Sequence, residues 1–132
     1  MIINYLRFRF RDDVGEEAKE RALVAIRRIA SSEAVAFSVI GQDLGDPAAG
    51  YTHSYCVAIP DLAALARYLA DPAHREGDLI FLPLLAKLAR SASSDDNDPA
   101  LRDKVNALAR ERLATDPEWA GLFARIPDLQ LG

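Results

Sequence analysis

The side chains of this chain best suited to proton transfer are its two histidines, His53 and His74, and a tyrosine, Tyr68, that shortly precedes the second histidine. An imidazole titrates near neutral pH and can accept a proton from a carbon next to a carbonyl group. A phenol can orient that imidazole or polarise the developing enolate. These residue types fit acid–base chemistry on a carbonyl compound, provided that the fold brings them together.

Two short motifs surround these residues. Gly50-Tyr51-Thr52-His53 precedes an amphipathic helix that carries Tyr68, and Asp71-Pro72-Ala73-His74 follows that helix. Over residues 1 to about 94, this pattern resembles the stress-responsive dimeric α/β-barrel (Dabb) family. Within the family it is similar to the plant polyketide cyclase that makes olivetolic acid. The resemblance implies a Dabb-like domain over residues 1–94.

The resemblance also implies a site. In the plant cyclase, a pocket between sheet and helices holds a linear polyketide, and a histidine held by a tyrosine drives an aldol closure without a cofactor. His74 and Tyr68 match this histidine and tyrosine, so they are the expected catalytic residues. The other expected pocket residues are Asn4, Leu6, Phe8, His53 and Tyr55.

Asn4 departs from the family pattern, because the plant cyclase has a histidine at this position of the first strand. An amide can donate and accept hydrogen bonds but cannot exchange a proton at neutral pH. The full mechanism of the plant enzyme is therefore not transferable. Asn4 could still orient a carbonyl oxygen, in a binding pocket as well as in a catalytic one.

Several alternatives stay open. His74 could brace the turn after Pro72, Tyr68 could be a core residue, and His53 could be hydrogen-bonded between strands. The first functional class is a cofactor-independent cyclase or isomerase on a hydrophobic carbonyl or polyketide-type substrate. The second is a non-catalytic stress-responsive or ligand-binding dimer, and a cofactor-free barrel monooxygenase is a further enzyme class.

The composition narrows the range of partners. The chain has 132 residues, 16 Lys plus Arg and 20 Asp plus Glu, which predicts one domain and argues against nucleic-acid binding. No long apolar run suggests a membrane span or a signal peptide, so a cytoplasmic protein is expected. The single cysteine, Cys56, cannot form an internal disulfide, and no phosphate loop or metal-ligand cluster is recognisable. We therefore expect neither a cofactor nor a metal.

Hydrophobic periodicity predicts the elements of the fold. Alternation predicts a strand from Ile2 to Phe10, and helical spacing predicts a helix from Val14 to Ala30. Two more strands are expected over Val35–Gly41 and Tyr51–Ile59. A helix is expected from Leu62 to Asp71, where Asp61 is its N-cap and Pro72 stops it.

The last elements of the domain are less regular. A second helical stretch is predicted from Leu79 to Ala89, and a final strand near Leu88–Ser94. This strand has poor propensity, so an edge position or a partner subunit is needed to explain it. The element order is that of a ferredoxin-like α+β fold with an antiparallel sheet.

One face of such a sheet cannot be covered by the helices, and here it carries Arg7 and Arg9. The resemblance implies that this face packs on a second copy, so we expect a homodimer that forms a dimeric α/β barrel.

Residues 95–132 lie outside the resemblance, and we expect them to form a C-terminal helical extension. Asp98 and Pro99 are a helix start signal. The apolar stripes of the extension, led by Leu101, Val105 and Trp119, need a surface to cover them. That surface could be the chain's own barrel, the partner subunit or the mouth of the pocket.

Overall fold

The computed structural model describes residues 1–132 as a five-stranded sheet with helices on its inner face. The elements in chain order are β1 (Ile2–Phe10), α1 (Glu16–Ala30), β2 (Phe37–Gln42), β3 (His53–Ile59), α2 (Leu62–Ala70), α3 (Pro72–Phe81), β4 (Leu85–Ser94), α4 (Leu101–Ala114), α5 (Pro117–Ala124) and β5 (Asp128–Leu131). The strand order is β2-β3-β1-β4-β5. Strands β1 to β4 are antiparallel neighbours in the ferredoxin-like arrangement, which confirms the predicted α+β fold class. Strand β5 runs parallel to β4 and makes the sheet mixed.

The core lies between the inner face of the sheet and the helices. Phe8 of β1 is fully buried, with Leu88 of β4 and His53 of β3 directly opposite it. Helix α1 contributes the buried side chains of Ile26 and Ile29 to this core. Because each fully buried side chain of this size contributes about 1.5–3 kcal/mol, the alternation along β1 determines which face of the sheet is covered.

The segment after α2 differs from the prediction. Pro72 does end α2, but it also begins α3, because the Asp71 side chain caps the new helix. The prediction of a helix over Leu79–Ala89 is wrong. Helix α3 ends at Phe81, and a 3-10 turn that contains Pro83 leads directly into β4.

Strand β4 is found where the final strand was predicted, although it begins earlier, at Leu85. It is not an edge strand and needs no partner subunit as its neighbour. Strand β1 pairs with one side of it, and the last strand of the same chain, β5, pairs with the other side from Lys87 to Arg90. Pairing on both sides outweighs the weak strand propensity of β4. Sequence analysis did not predict β5.

The C-terminal extension docks on its own chain. Helix α4 packs against α2, and α5 packs against α3. Val105, Trp119 and Leu122 are buried in these contacts. The Asp116 side chain caps α5 by accepting a hydrogen bond of 3.1 Å from the Trp119 backbone N–H.

The outer face of the sheet carries both polar and exposed apolar side chains. Arg7 donates a hydrogen bond of 2.8 Å to Asp43 Oδ2. Phe37 and Val39 of β2 are 55% and 67% exposed. None of the helices is both long and apolar enough to cross a lipid bilayer.

Candidate active site

A cavity of about 160 Å³ lies between the inner face of the sheet and the helices. Every helix contributes to its wall, and 17 of its 22 lining residues are hydrophobic. The extension supplies part of that wall, including Trp119 of α5 and Leu131 of β5. The polar side chains of the wall are Asn4, His74, Asp78, Arg90 and Arg112.

Most of the predicted site residues share this cavity. Asn4 and Leu6 reach it from β1 and Tyr55 from β3, while Tyr68 and His74 reach it from α2 and α3. The β1 residues and Tyr55 lie on the inner face because alternate residues of paired strands point to the same side.

Phe8 and His53 do not line the cavity, unlike the expectation from sequence. The Phe8 ring is fully buried and packs edge-on against Phe10 and Phe81. The His53 ring stacks on Phe8, and its Nδ1 lies 2.7 Å from the Thr52 hydroxyl oxygen. Burial lowers the pKa of His53. Both residues share the inner face with the site residues, but they lie where the end of β1 pairs with the start of β3, and aromatic side chains fill the space there.

His74 and Tyr68 are neighbours across the turn between α2 and α3. Their rings are 4.6 Å apart, centre to centre. His74 Nδ1 lies 3.3 Å from the backbone oxygen of Tyr68, so the imidazole contacts the tyrosine through its main chain and ring face. The hydroxyl of Tyr68 contacts Tyr55 instead, at an oxygen–oxygen distance of 2.6 Å.

Burial determines the protonation state of this hydroxyl pair. It raises the pKa of Tyr68 and of Tyr55 far above the ordinary value of a phenol. Both side chains are therefore neutral at physiological pH. Neutral phenols can donate a hydrogen bond to a carbonyl oxygen, but they cannot act as bases.

Asp78 is a site residue that sequence analysis missed. Its Oδ2 lies 3.6 Å from His74 Nε2 and accepts a hydrogen bond of 2.8 Å from the indole N–H of Trp119. The side chain is buried, and burial raises the pKa of the Asp78 carboxyl, although His74 and Trp119 oppose this effect. The signal in the sequence was its position one helical turn after His74, on the same face of α3.

Arg90 and Asn4 form a second polar group on the cavity wall. Arg90 Nε donates a hydrogen bond of 2.9 Å to Asn4 Oδ1. The Asn4 side chain also lowers the pKa of Tyr68, against the larger effect of burial. Arg90 was not predicted as a site residue, because its strand was assigned from family position alone.

The arrangement combines an acid–base pair with hydrogen-bond donors in an apolar enclosure. His74 supplies an imidazole beside the buried carboxyl of Asp78, and the tyrosine hydroxyls and Arg90 can stabilise negative charge on oxygen. The structure contains no group of three or more His, Cys, Asp or Glu side chains arranged to hold a metal ion.

Comparison with known proteins agrees with the fold. The family model of the Stress responsive A/B Barrel Domain matches residues 4–91. The crystal structure of At3g17210 from Arabidopsis thaliana is 26% identical, covers 74% of this chain and 98% of its own, and superposes with a TM-score of 0.63. A search of curated protein sequences found no significant match.

Two further solved structures share the fold. A dimeric ferredoxin-like protein of unknown function from Thermobifida fusca is 23% identical, with a TM-score of 0.62 over 70% of this chain and 89% of its own. The hydroxynitrile lyase from Passiflora edulis is 17% identical, with a TM-score of 0.64 over 74% of this chain and 94% of its own. These two structures share the fold of the chain. The family model matches residues 4–91, which is more than half of the chain, and the chain therefore belongs to the stress-responsive A/B barrel (Dabb) family.

Proposed function

We propose that this protein is a cofactor-independent enzyme that moves a proton next to the carbonyl group of a hydrophobic substrate, as a cyclase or isomerase does. One observation carries the proposal: His74, Asp78 and Tyr68 line the same apolar cavity. A base and a hydrogen-bond donor facing one apolar space are what enolate chemistry requires.

His74 is the proposed base. Its Nδ1 faces the Tyr68 backbone oxygen, and a proton on Nδ1 leaves Nε2 on the side of Asp78. Burial raises the pKa of Asp78, and its carboxyl lies 3.6 Å from the imidazole Nε2. Trp119 orients the carboxylate by donating to it. The pair would remove a proton from the carbon next to the carbonyl group and return it later.

The tyrosine pair is the proposed donor to the substrate oxygen. Tyr55 and Tyr68 both remain protonated, and only one of their two hydroxyl protons is used in the bond between them. The other proton can be donated to a carbonyl oxygen as negative charge develops there. In a cyclisation, the enolate carbon would then attack a second carbonyl of the same chain.

Relatives support parts of this proposal only by fold. The hydroxynitrile lyase shows that the fold can carry an enzyme, and the Thermobifida fusca protein is described as dimeric. We propose that the present chain also forms a homodimer. The exposed Phe37 and Val39 on the outer face of its sheet favour burial against a second copy.

Deuterium exchange tests the proposed chemistry. Nonan-2-one in D₂O exchanges its α protons slowly, so incorporation measured by NMR reports catalysis. We expect the wild-type protein to accelerate exchange, and we expect the rate of exchange with His74→Asn to be about 100-fold lower than with wild type. His53→Asn is the matched control, because it removes the other histidine, which lies outside the cavity. Equal rates for wild type and His74→Asn would contradict the proposed base.

A second candidate is ligand binding without turnover. It is favoured by the contacts of the imidazole: Nδ1 faces a backbone oxygen and Nε2 faces Asp78. Both ring nitrogens therefore already have a neighbour in the protein. On this alternative, nonan-2-one binds to the cavity with the same affinity in wild type and His74→Asn, and no exchange is observed in either protein.

A further inference from the structure

Arg90 is a charged side chain in the apolar cavity with no counter-ion. It lies on the inner face of β4, opposite Leu6 of β1. The only hydrogen bond of its side chain is the one that Nε donates to Asn4, and the side chain forms no salt bridge. Burial lowers the pKa of Arg90, yet a guanidinium stays charged at neutral pH. A partly buried cation without an anion is unfavourable, so an anionic ligand would be stabilised there.

The hydrogen bond to Asn4 leaves the rest of the guanidinium available. Nε is held by the amide, and the two terminal nitrogens of Arg90, a residue that lines the cavity, have no protein acceptor. These nitrogens form the planar fork that binds a carboxylate through two parallel hydrogen bonds. Asn4, the residue that departs from the family pattern, thus positions Arg90.

Arg112 of α4 is a second cation on the wall, but its surroundings differ. Its Nε donates a hydrogen bond of 3.2 Å to the backbone oxygen of Leu69, and its guanidinium lies over the Trp119 ring at 5.8 Å. Arg112 therefore adds positive charge to the wall while being held by contacts with α2 and α5. Arg90 is the better anchor.

A second, polar chamber adjoins the apolar cavity at Arg90. This chamber has a volume of about 350 Å³ and only 4 hydrophobic residues among its 12 lining residues. It lies between the end of β4 and the start of α4, and it shares Ile2, Arg90 and Val105 with the apolar cavity. Arg90 thus marks the boundary between an apolar and a polar space.

We propose that the ligand of this cavity is an amphipathic carboxylate, whose apolar body fills the cavity and whose carboxylate binds Arg90. The inference rests on the proposed function, because it assigns a chemical class to the substrate or product of the same site. The apolar body lies against the aliphatic and aromatic wall, near His74 and Tyr68. The carboxylate lies at the boundary, where it pairs with a cation and remains next to the polar chamber.

Octanoate and 1-octanol are suitable probes, because they share an apolar chain and differ at its end. The single tryptophan, Trp119, lines the cavity, so its fluorescence reports binding of either compound. We expect wild type to bind octanoate at least about tenfold more tightly than 1-octanol, as a charge-assisted hydrogen bond requires. Arg90→Gln is expected to remove this preference, because it weakens the binding of octanoate more than the binding of 1-octanol.

Two further variants control the experiment. Arg28→Gln removes the same charge from an exposed position of α1 and is expected to keep the preference. Arg90→Lys retains the charge without the fork, so it is expected to keep only part of the preference even if Arg90→Gln does not fold.

The possible outcomes separate the inference from the proposed function. Equal binding of octanoate and 1-octanol to wild type would overturn the inference and leave the apolar site intact. A preference that survives in Arg90→Gln and is lost in Arg112→Gln would overturn the assignment to Arg90. Absence of binding by both compounds would overturn the inference together with the proposed function.

Discussion

The indole N–H of Trp119 donates a hydrogen bond of 2.8 Å to Asp78 Oδ2, the oxygen that lies 3.6 Å from His74 Nε2. The donor belongs to the C-terminal extension and the acceptor to α3. The extension therefore orients the carboxylate that contacts the proposed base, in addition to covering apolar surface.

Replacing Trp119 by Phe tests this contact. The variant retains an apolar ring but leaves the buried Asp78 with one donor fewer, so we expect a loss of about 1–3 kcal/mol in the free energy of unfolding. Urea unfolding followed by circular dichroism measures it. In a double-mutant cycle with Asp78→Leu the two changes are expected to be coupled, and effects that add within about 0.5 kcal/mol would contradict the interaction.

Asp43 is expected to make the protein sensitive to acid. The Arg7 guanidinium holds the pKa of the Asp43 carboxyl well below its usual range, with help from Ser54 and against the opposing effect of burial. In the unfolded chain the carboxyl has the ordinary aspartate pKa of about 3.9. The stabilisation is therefore fully present above about pH 4 and is lost as the pH falls towards the pKa of the folded state.

The measurement is the free energy of unfolding of wild type and Asp43→Asn between about pH 2 and pH 7. We expect the difference between the two proteins to shrink below about pH 4. Asp13→Asn, at an exposed position without an ion pair, is the control. A difference that stays constant with pH would rule out Asp43 as the source of acid sensitivity.

Replacing glycine by alanine is expected to have opposite effects on stability at two helical positions, Gly77 and Gly121. A Cβ at Gly77 of α3 would lie 2.6 Å from Ile29 Cδ1 and 3.1 Å from the Ala25 backbone oxygen of α1, whereas a Cβ at Gly121 of α5 would have no atom within 4 Å. Gly121→Ala is expected to stabilise the protein by up to about 1 kcal/mol through helix propensity. Gly77→Ala is expected to destabilise it, because α1 and α3 must move apart. Thermal unfolding of both variants checks this, and a gain in stability for Gly77→Ala would show that the contact is easily relieved.

The outer face of the sheet is expected to mediate dimerisation. Val39→Asp places a charge on this face, and we expect it to shift a dimer to monomer in sedimentation measured over a dilution series. Val24→Asp is the matched control, because Val24 is also exposed, at 49%, but lies on α1. Dissociation by Val24→Asp alone would place the interface on the helical side instead.

The parts of this fold that can be predicted from sequence are those determined by residues close together in the chain. The alternation along β1 and the motif that contains Tyr68 and His74 depend on neighbours in the chain. The structure places Asn4 and Leu6 on the inner face of the sheet, and Tyr68 and His74 on the cavity wall. The end of α3 was not predictable from periodicity, because Leu79–Leu88 is apolar enough for either a helix or a strand and pairing with β1 decides between them.

The candidate site was predictable where the family motif covers it. Asp78 and Arg90 were missed because their significance depends on contacts distant in sequence, with Trp119 and Asn4 respectively. His53 is part of the motif, but its ring lies against Phe8 and not on the cavity wall. The position of a residue along a strand determines on which face of the sheet its side chain lies, but not how far it is from the cavity.

The wall of the cavity contains residues from both ends of the chain, Asn4 of β1 and Leu131 of β5. During synthesis, N-terminal segments fold first, so the ferredoxin-like part can form before the extension has been made. The enclosure closes only when β5 pairs with β4. A nascent chain therefore cannot form the complete cavity before residue 131 has been translated and β5 has paired with β4.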